Sequence, residues 1–451
     1  MLYGILVIYS SQGRSMSNTI NSKGTSRIFY GWWIVLAGAT MMLLMGTFSY
    51  YGMGVFLTPI LETNGWQAAQ IATALSIARL EGGVMAPLMG YLIDRYGPRV
   101  LMIVGVIGCG AGYILLSRAG QLPVSDNMQL LYFYIVYILL VQGGVSAGMG
   151  NAPTAAVANW FVRKRATAMG IVNLGLSLGG ILATPLAWVI SKWGWRTAML
   201  GGGSLIWALG IPLATLVRHR PEDYGLLPDG DKPDPSDQTN TSSVGQQTQN
   251  PNSTAVEFSA KQAIKTMAFW AIALMFSSRM FVTGSVALFL VTMLQERGMS
   301  HVEAAQILSL MALLGMPGRV GFAWLGDRFD KRKVIAFCFV FQSTGLILFT
   351  LIPGPVGIAC FLILYSPTYS GVLPLIPALQ ADYFGRQRFA TIRGLMAPVG
   401  TISMVSSPIV VSVIRDQYGS YDPAFMFLGV LNILALVFIA ITRKPILSTP
   451  V

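Results

Sequence analysis

Apolar runs of roughly twenty residues recur twelve times along the chain, each closed by charged residues or by Pro and Gly. They fall at 31–58, 68–92, 100–118, 128–156, 168–190, 196–217, 267–293, 302–325, 334–352, 355–380, 391–414 and 423–442. About 20 apolar residues in helical geometry cross the ~30 Å hydrocarbon layer, so each run predicts one membrane-spanning helix. Between the sixth and seventh runs lies 218–265, rich in Asp, Pro, Ser, Thr, Gln and Asn and almost without aromatic residues. Such a composition cannot bury enough apolar surface to fold, which predicts a linker. The chain then divides into a disordered N-terminus (1–29), a six-helix half (30–217), the linker (218–265), a second six-helix half (266–443) and a tail (444–451).

The two halves echo each other. GYLIDRYGPR (90–99), after span two, recurs as AWLGDRFDKR (323–332) after span eight. NWFVRKRATAMG (159–170), between spans four and five, recurs as DYFGRQRFATIRG (382–394) between spans ten and eleven. A pair of six-span repeats is the architecture in which a central cavity forms between halves that rock about it. The fold class expected is therefore an all-α polytopic membrane protein, with 12 transmembrane helices in two pseudo-symmetric halves.

Composition agrees with that pattern. Of 451 residues 54% are hydrophobic and 11% charged, against roughly 25% charged in soluble domains, which excludes a soluble enzyme. The 49 glycines supply the small residues that let membrane helices approach closely. A formal net charge of +12 would suggest nucleic acid in a soluble protein; here it reports topology. With both termini cytoplasmic, 22 of the 30 Lys and Arg fall on cytoplasmic segments, and Arg118, Lys192, Arg196, Arg297 and Arg415 alone lie outside. This skew predicts that orientation, in a plasma (inner) membrane. Cys109, Cys338 and Cys360 sit in apolar runs and read as small hydrophobes. No cofactor, metal or obligatory protein partner is implied, and no nucleic acid. The apolar stretch Met1 to Ser10 is too short to span and lacks an upstream basic region, so no cleaved signal peptide is expected. Met16 opens a conventional polar leader, which suggests that residues 1–15 are a mis-called start or a disordered tail.

Gly90, Asp94, Arg95, Gly97 and Arg99 resemble the loop signature of the major facilitator superfamily, placed between spans two and three as in that family. YGWW (30–33), NWFVRKRATAMGIVNLG (159–175) and RPEDYGLLPDG (220–230) are similar to the branch holding monocarboxylate transporters and oxalate/formate antiporters. The likeness runs from about Tyr30 to Arg443 and implies the major facilitator fold and secondary transport of small organic anions. It also implies that spans one, four, seven and ten line a cavity, and that Arg319 in span eight holds the substrate carboxylate. Two departures stand out. Gly315 occupies the place where the vertebrate branch carries an Asp, and span one has no Lys.

Four ionisable residues fall well inside the spans: Arg79 and Glu81 in span two, Arg279 in span seven and Arg319 in span eight. Each costs at least ~2.5 kcal/mol at the bilayer centre and needs a partner or a water-filled cavity. Their sum is +2, which favours anions, and a guanidinium matches a carboxylate with two parallel hydrogen bonds. Arg319 follows Pro317 and Gly318, where a helix distortion leaves room beside its fork. Arg79 and Arg279 are further anion anchors. Glu81 is the one carboxylate within a span, which makes it a proton-coupling site or a gate pairing with Arg279; a purely structural role is the alternative. Tyr50, Tyr51, Asn151, Tyr365 and Tyr369 offer polar handles on cavity-lining spans, with Asn173 a weaker one. At the cytoplasmic face, Asp94, Arg95 and Arg99, with Asp327 and Arg328 in the second copy, are expected to bond neighbouring helix ends as a latch.

These readings converge on a transporter of small carboxylates. Span eleven, taken as LMAPVGTISMVSSPIVVSV, lacks the Lys of the oxalate antiporters, which favours a monocarboxylate such as lactate or pyruvate; an exchanger of dicarboxylates is the alternative, and protons are an open partner. A membrane-embedded enzyme would need clustered nucleophiles or ligands, yet His219 and His301 lie in loops on opposite sides. A receptor would need an appended sensing domain.

Overall fold

The computed structural model describes residues 29–231 and 257–445. Residues 1–15 and the middle of the 218–265 segment lie outside the described residues. Twelve long helices fill the described chain: α1 (Gly31–Asn64), α2 (Ala68–Tyr96), α3 (Pro98–Leu116), α4 (Asp126–Trp160), α5 (Arg165–Trp193), α6 (Trp195–Leu216), α7 (Met267–Glu296), α8 (His301–Arg328), α9 (Lys331–Leu351), α10 (Pro355–Phe384), α11 (Phe389–Tyr418) and α12 (Asp422–Ile441). Eleven of them are long and apolar enough to cross a membrane; α2, with Arg79 and Glu81 in its middle, matches them in length.

Their ends follow from local chemistry. Gly97 and Gly385 take positive φ, near +85°, where α2 and α10 stop. Ser300 caps α8 with Glu303 returning the bond, and Asp330 accepts from the Arg332 amide to start α9. α1, α4 and α10 each contain wider π-type turns, at Met45–Tyr50, at Val136–Gln142 and Val145–Gly150, and at Phe361–Tyr365. Such turns interrupt the regular ladder and redirect the side chains beside them. Tyr50, Tyr51, Asn151 and Tyr365 lie in or next to these turns.

Helices α1–α6 pack on one another and α7–α12 do likewise, and the two groups meet chiefly where α2 runs against α11 and α5 against α8 and α10. Close approach at these crossings requires missing side chains. A Cβ on Gly90 would run into the Ala390 carbonyl oxygen, one on Gly394 into that of Ala86, and one on Gly170 would lie 2.8 Å from that of Arg319.

The bundle end carrying the described ends of the 218–265 segment, here the linker end, is more elaborate than a tether. Residues 218–231 pack against the helix ends: Arg218 is sandwiched between Tyr30 and Tyr224, while Trp160 and Asn159 donate to the carbonyls of Arg218 and His219. The Asp229 carboxylate accepts the amides of Val162 and Arg163, just before α5. In matching fashion Glu257 accepts those of Arg386 and Gln387 before α11. The expectation that this composition cannot fold fails at both ends: carboxylates dock on backbone N–H groups, and at the second end Phe258 is also buried against Phe384.

Candidate functional site

α8 carries Arg319 to the crossing with α5, where the guanidinium is buried, 5% exposed. Its Nη1 donates to the Asn173 carbonyl of the opposite half at 2.7 Å, and its Nε is buried without a partner. Arg279 on α7 repeats the arrangement: it is 4% exposed, Nη2 donates to the Tyr369 carbonyl at 3.3 Å, and Nε is again unpartnered. Buried donors of this kind are rare and call for a partner, whether a water, an ion or a ligand. Arg279 lies within electrostatic reach of Arg319. Around them stand Tyr365 and Tyr369, stacked with centroids 5.4 Å apart, and Tyr50 and Tyr51, packed edge to face at 4.9 Å. Tyr51 of the first half approaches Arg319 and Tyr369 of the second, and Tyr50 approaches Arg279. Four of the candidates, two each from α1 and α10, thus meet around the two arginines.

A third arginine was overlooked. In the sequence Arg393 stands at the edge of the run 391–414, close behind Arg386 and Arg388, and counts with the cytoplasmic cations, but α11 starts at Phe389, which puts Arg393 one turn inside the helix. Its Nε donates to Asn151 Oδ1 at 3.2 Å across the halves. It lines a small cleft with Asn151, Phe276, Ile376, Gln380, Met396 and Ala397, and Arg279 is within electrostatic reach. Span eleven is therefore charged, contrary to expectation. The available signal was the repeat itself: Arg393–Gly394 aligns with Met169–Gly170, both glycines at buried crossings.

The remaining candidates lie elsewhere. Glu81 has Ser146 of its own half within hydrogen-bond reach while Oε2 is buried without a partner; its pairing with Arg279 is not present in this structure. Arg79 is exposed on α2, with Tyr137 of α4 as its polar neighbour. Asn173 contributes its carbonyl to Arg319, and its side chain donates to Met169 of its own helix.

At the positions expected to form a latch, the contacts across the halves are made by carboxylates. Asp94 at the end of α2 accepts from Ala390 N (3.2 Å), Thr391 N (2.7 Å) and Thr391 Oγ1 (2.6 Å), seating its charge on the first turn of α11. Asp327 at the end of α8 accepts from Ala166 N (2.9 Å) and Thr167 N (2.7 Å) in the first turn of α5. The unpaired amides and dipole of a helix start favour such an anion. Buried Arg165 adds an ion pair to Asp382 at 2.5 Å, and Lys331 reaches Asp382 at 2.8 Å. The basic residues of the motif do not take part as expected. Arg95 bonds Tyr91 and stacks on Tyr96 of its own helix, Arg328 stacks on Trp324, and Arg99 is exposed. Gly90 and Gly97 serve packing, Gly97 lying against the His219 ring. Burial, with Arg220 alongside, pushes the His219 imidazole below its usual pKa against the opposing pull of Asp223 and Glu222.

Residues 36–408 match the family model of the Major Facilitator Superfamily. The chain is 23% identical over 434 residues to the hexuronate transporter of Escherichia coli (strain K12), covering 92% of this chain and 94% of that protein. It is 22% identical over 429 residues to the oxalate:formate antiporter of Oxalobacter formigenes, covering 93% of each. It is 23% identical over 457 residues to monocarboxylate transporter 12 of Homo sapiens, covering 95% of this chain and 84% of that protein. Among solved structures, the transporter FucP in the outward conformation superposes with a TM-score of 0.70 at 16% identity, covering 92% of this chain and 100% of that one; this likeness concerns the fold alone.

Proposed function

The chain belongs to the Major Facilitator Superfamily, and on that premise we propose that it carries small organic carboxylates across a membrane by alternating access. The observation that carries this reading is the pair Arg279 and Arg319, each buried with an unpartnered Nε and within reach of the other's charge. No carboxylate neighbours either guanidinium among the described residues. Uncompensated cations in a low-dielectric cleft attract an anion, and a carboxylate can take two parallel bonds from one guanidinium edge. The relatives named for hexuronate, oxalate:formate and monocarboxylate have a carboxylate in common. The case for lactate or pyruvate rested on an uncharged span eleven, and Arg393 removes that ground.

By the Lys and Arg distribution the linker end is cytoplasmic, in a plasma (inner) membrane. The halves are latched at that end by Asp94, Asp327 and the Arg165–Asp382 pair, which makes this the outward-facing state. Rocking of the halves then has to draw both carboxylates off the helix starts they cap, while substrate bridging Arg319 and Tyr51 moves from one access to the other. Glu81 is the proton site if transport is proton-coupled.

Counterflow in proteoliposomes tests the reading. Purified protein should exchange labelled small carboxylates, recovered unaltered, and ignore uncharged fucose. Fucose exchange without any carboxylate exchange would overturn it.

A further inference from the structure

RPEDYGLLPDG (220–230) and the residues beside it join the two halves. The loops they meet are repeat-equivalent, NWFVRKR (159–165) before α5 and DYFGRQR (382–388) before α11, in which Arg163 aligns with Arg386. Each loop turns two amides to a carboxylate of the 218–265 segment, Val162 and Arg163 to Asp229, Arg386 and Gln387 to Glu257. Each also gives its arginine to an acid of 218–231: Arg163 pairs with Asp231, and Arg386 Nη2 donates to Glu222 Oε1 at 2.8 Å. One segment therefore serves two loops that lie in different halves.

Its hold on the first half is the more extensive. Asp229 accepts its amides at 3.0 and 2.8 Å, and Trp160 and Asn159 donate to the Arg218 and His219 carbonyls. Among the described residues Asp229 is the one non-glycine with positive φ, +59°, a conformation that costs an L-residue free energy and persists where contacts over-determine it. Toward the second half, among the described residues, the ion pair of 218–231 is Glu222 with Arg386. The same guanidinium donates from Nη1 to the Asn159 carbonyl at 2.7 Å, so both of its outer nitrogens are held by the first half and the segment docked on it.

We propose that 218–231 is a hook seated on the first half, which catches Arg386 when the linker end closes and biases the resting protein toward the state closed at that end. The inference rests on the reading that the halves rock about a central cavity. It differs from the contacts of Asp94 and Asp327, which the helices themselves carry. Opening parts Glu222 from Arg386 while Asp229 keeps the hook on the first half. Glu257 positions the catch by fixing the backbone on which Arg386 stands. The Arg386 and Glu222 side chains are 26% and 42% exposed, so solvent screening keeps the pair weak enough to be broken in every cycle.

The experiment measures the gap at the linker end in the full chain without substrate. Spin labels go on cysteines placed at Arg99 and Lys333, exposed in the first turns of α3 and α9, after Cys109, Cys338 and Cys360 are replaced by alanine. Glu222→Arg sets two cations face to face and should raise the long-distance population about three- to fivefold. Adding Arg386→Glu should bring the distribution back toward wild type, because the swapped pair attracts again. Hydrogen exchange of 218–231 should stay as in wild type in Glu222→Arg and accelerate in Asp229→Ala, which unseats the hook and should lengthen the distance as well. If Glu222→Arg fails to insert, Glu222→Gln is read in its place, with a smaller shift in the same direction. An unchanged distribution, or one that Arg386→Glu does not reverse, would overturn the hook and leave the transporter reading standing. Faster exchange of 218–231 in Glu222→Arg would make the ion pair part of the seat and also overturn it. A distance unmoved in every variant and by every added carboxylate would remove the alternating-access reading and this inference together.

Discussion

Arg319 Nη1 lies 2.7 Å from the carbonyl oxygen of Asn173, so the proposed anion anchor of the second half is bonded to the backbone of the first. Gly170, one turn before Asn173, makes room for the α8 backbone there. Substrate binding and closure of the linker end thus meet at one side chain. The account therefore expects changes at the latch to alter transport without touching the substrate.

Asp94 and Asp327 hold the closed state by charge on the first turns of α11 and α5. An amide in place of the carboxylate keeps an acceptor and loses the charge, an effect of about 1.4 kcal/mol or about tenfold in population. Asp94→Asn should shift the protein toward the state open at the linker end. Labelling of cysteines introduced beside Thr391 should rise accordingly, and unchanged labelling would count against the latch.

Gly90 tests closure sterically. A methyl at this position meets the Ala390 carbonyl oxygen, and backbone cannot move aside as a flexible side chain can. Gly90→Ala should separate α2 from α11 at the linker end, seen as a longer spin-label distance, with slower transport. An unaltered distance distribution would show that the crossing has slack.

The docked segment 218–231, a strap across the helix ends, brings pH dependence. Since burial lowers the His219 pKa from its usual 6.5, the native strap binds fewer protons than the undocked one below that value. Docking is then fully favourable above about pH 6.5 and weakens as pH falls through it toward the lower native value. Hydrogen exchange of 218–231, corrected for intrinsic rates, should accelerate over that window. His219→Gln should remove the step, and a step that persists in this variant would assign it to another group.

If transport is proton-coupled, the account makes Glu81 the group that carries the proton. Exchange does not require the carrier to return empty, whereas net symport requires deprotonation before that return. Glu81→Gln should keep exchange of labelled for unlabelled substrate and lose accumulation driven by a pH gradient. Accumulation that survives would route the proton elsewhere, and loss of exchange as well would make Glu81, with its neighbour Ser146, a structural element.

Much of this was legible in the sequence because a bilayer imposes a length on every apolar run, and the twelve helices stand where the runs do. The repeated Asp94 and Asp327 motif was legible too, since its spacing survives in both halves. Its basic members misled: Arg95 and Arg328 stack on aromatic rings of their own helices, because the partners across the halves are backbone amides that call only for a carboxylate. Arg393 was hidden by the neighbouring cations Arg386 and Arg388 and by its place at the edge of the predicted run, which the helix extends to Phe389. The docking of Asp229 and Glu257 left no trace in composition, for their partners are main-chain groups present in every sequence.

The anion-anchor role of Arg319 stands or falls on counterflow of a labelled carboxylate by Arg319→Gln beside wild type, in protein shown to be monodisperse and equally stable. A charge-assisted hydrogen bond contributes about 1.5–3 kcal/mol, so losing a two-bond contact predicts at least a ~100-fold drop, with Arg319→Lys recovering little because a point charge cannot reproduce the fork. Counterflow by the Gln variant within a few-fold of wild type would contradict the account.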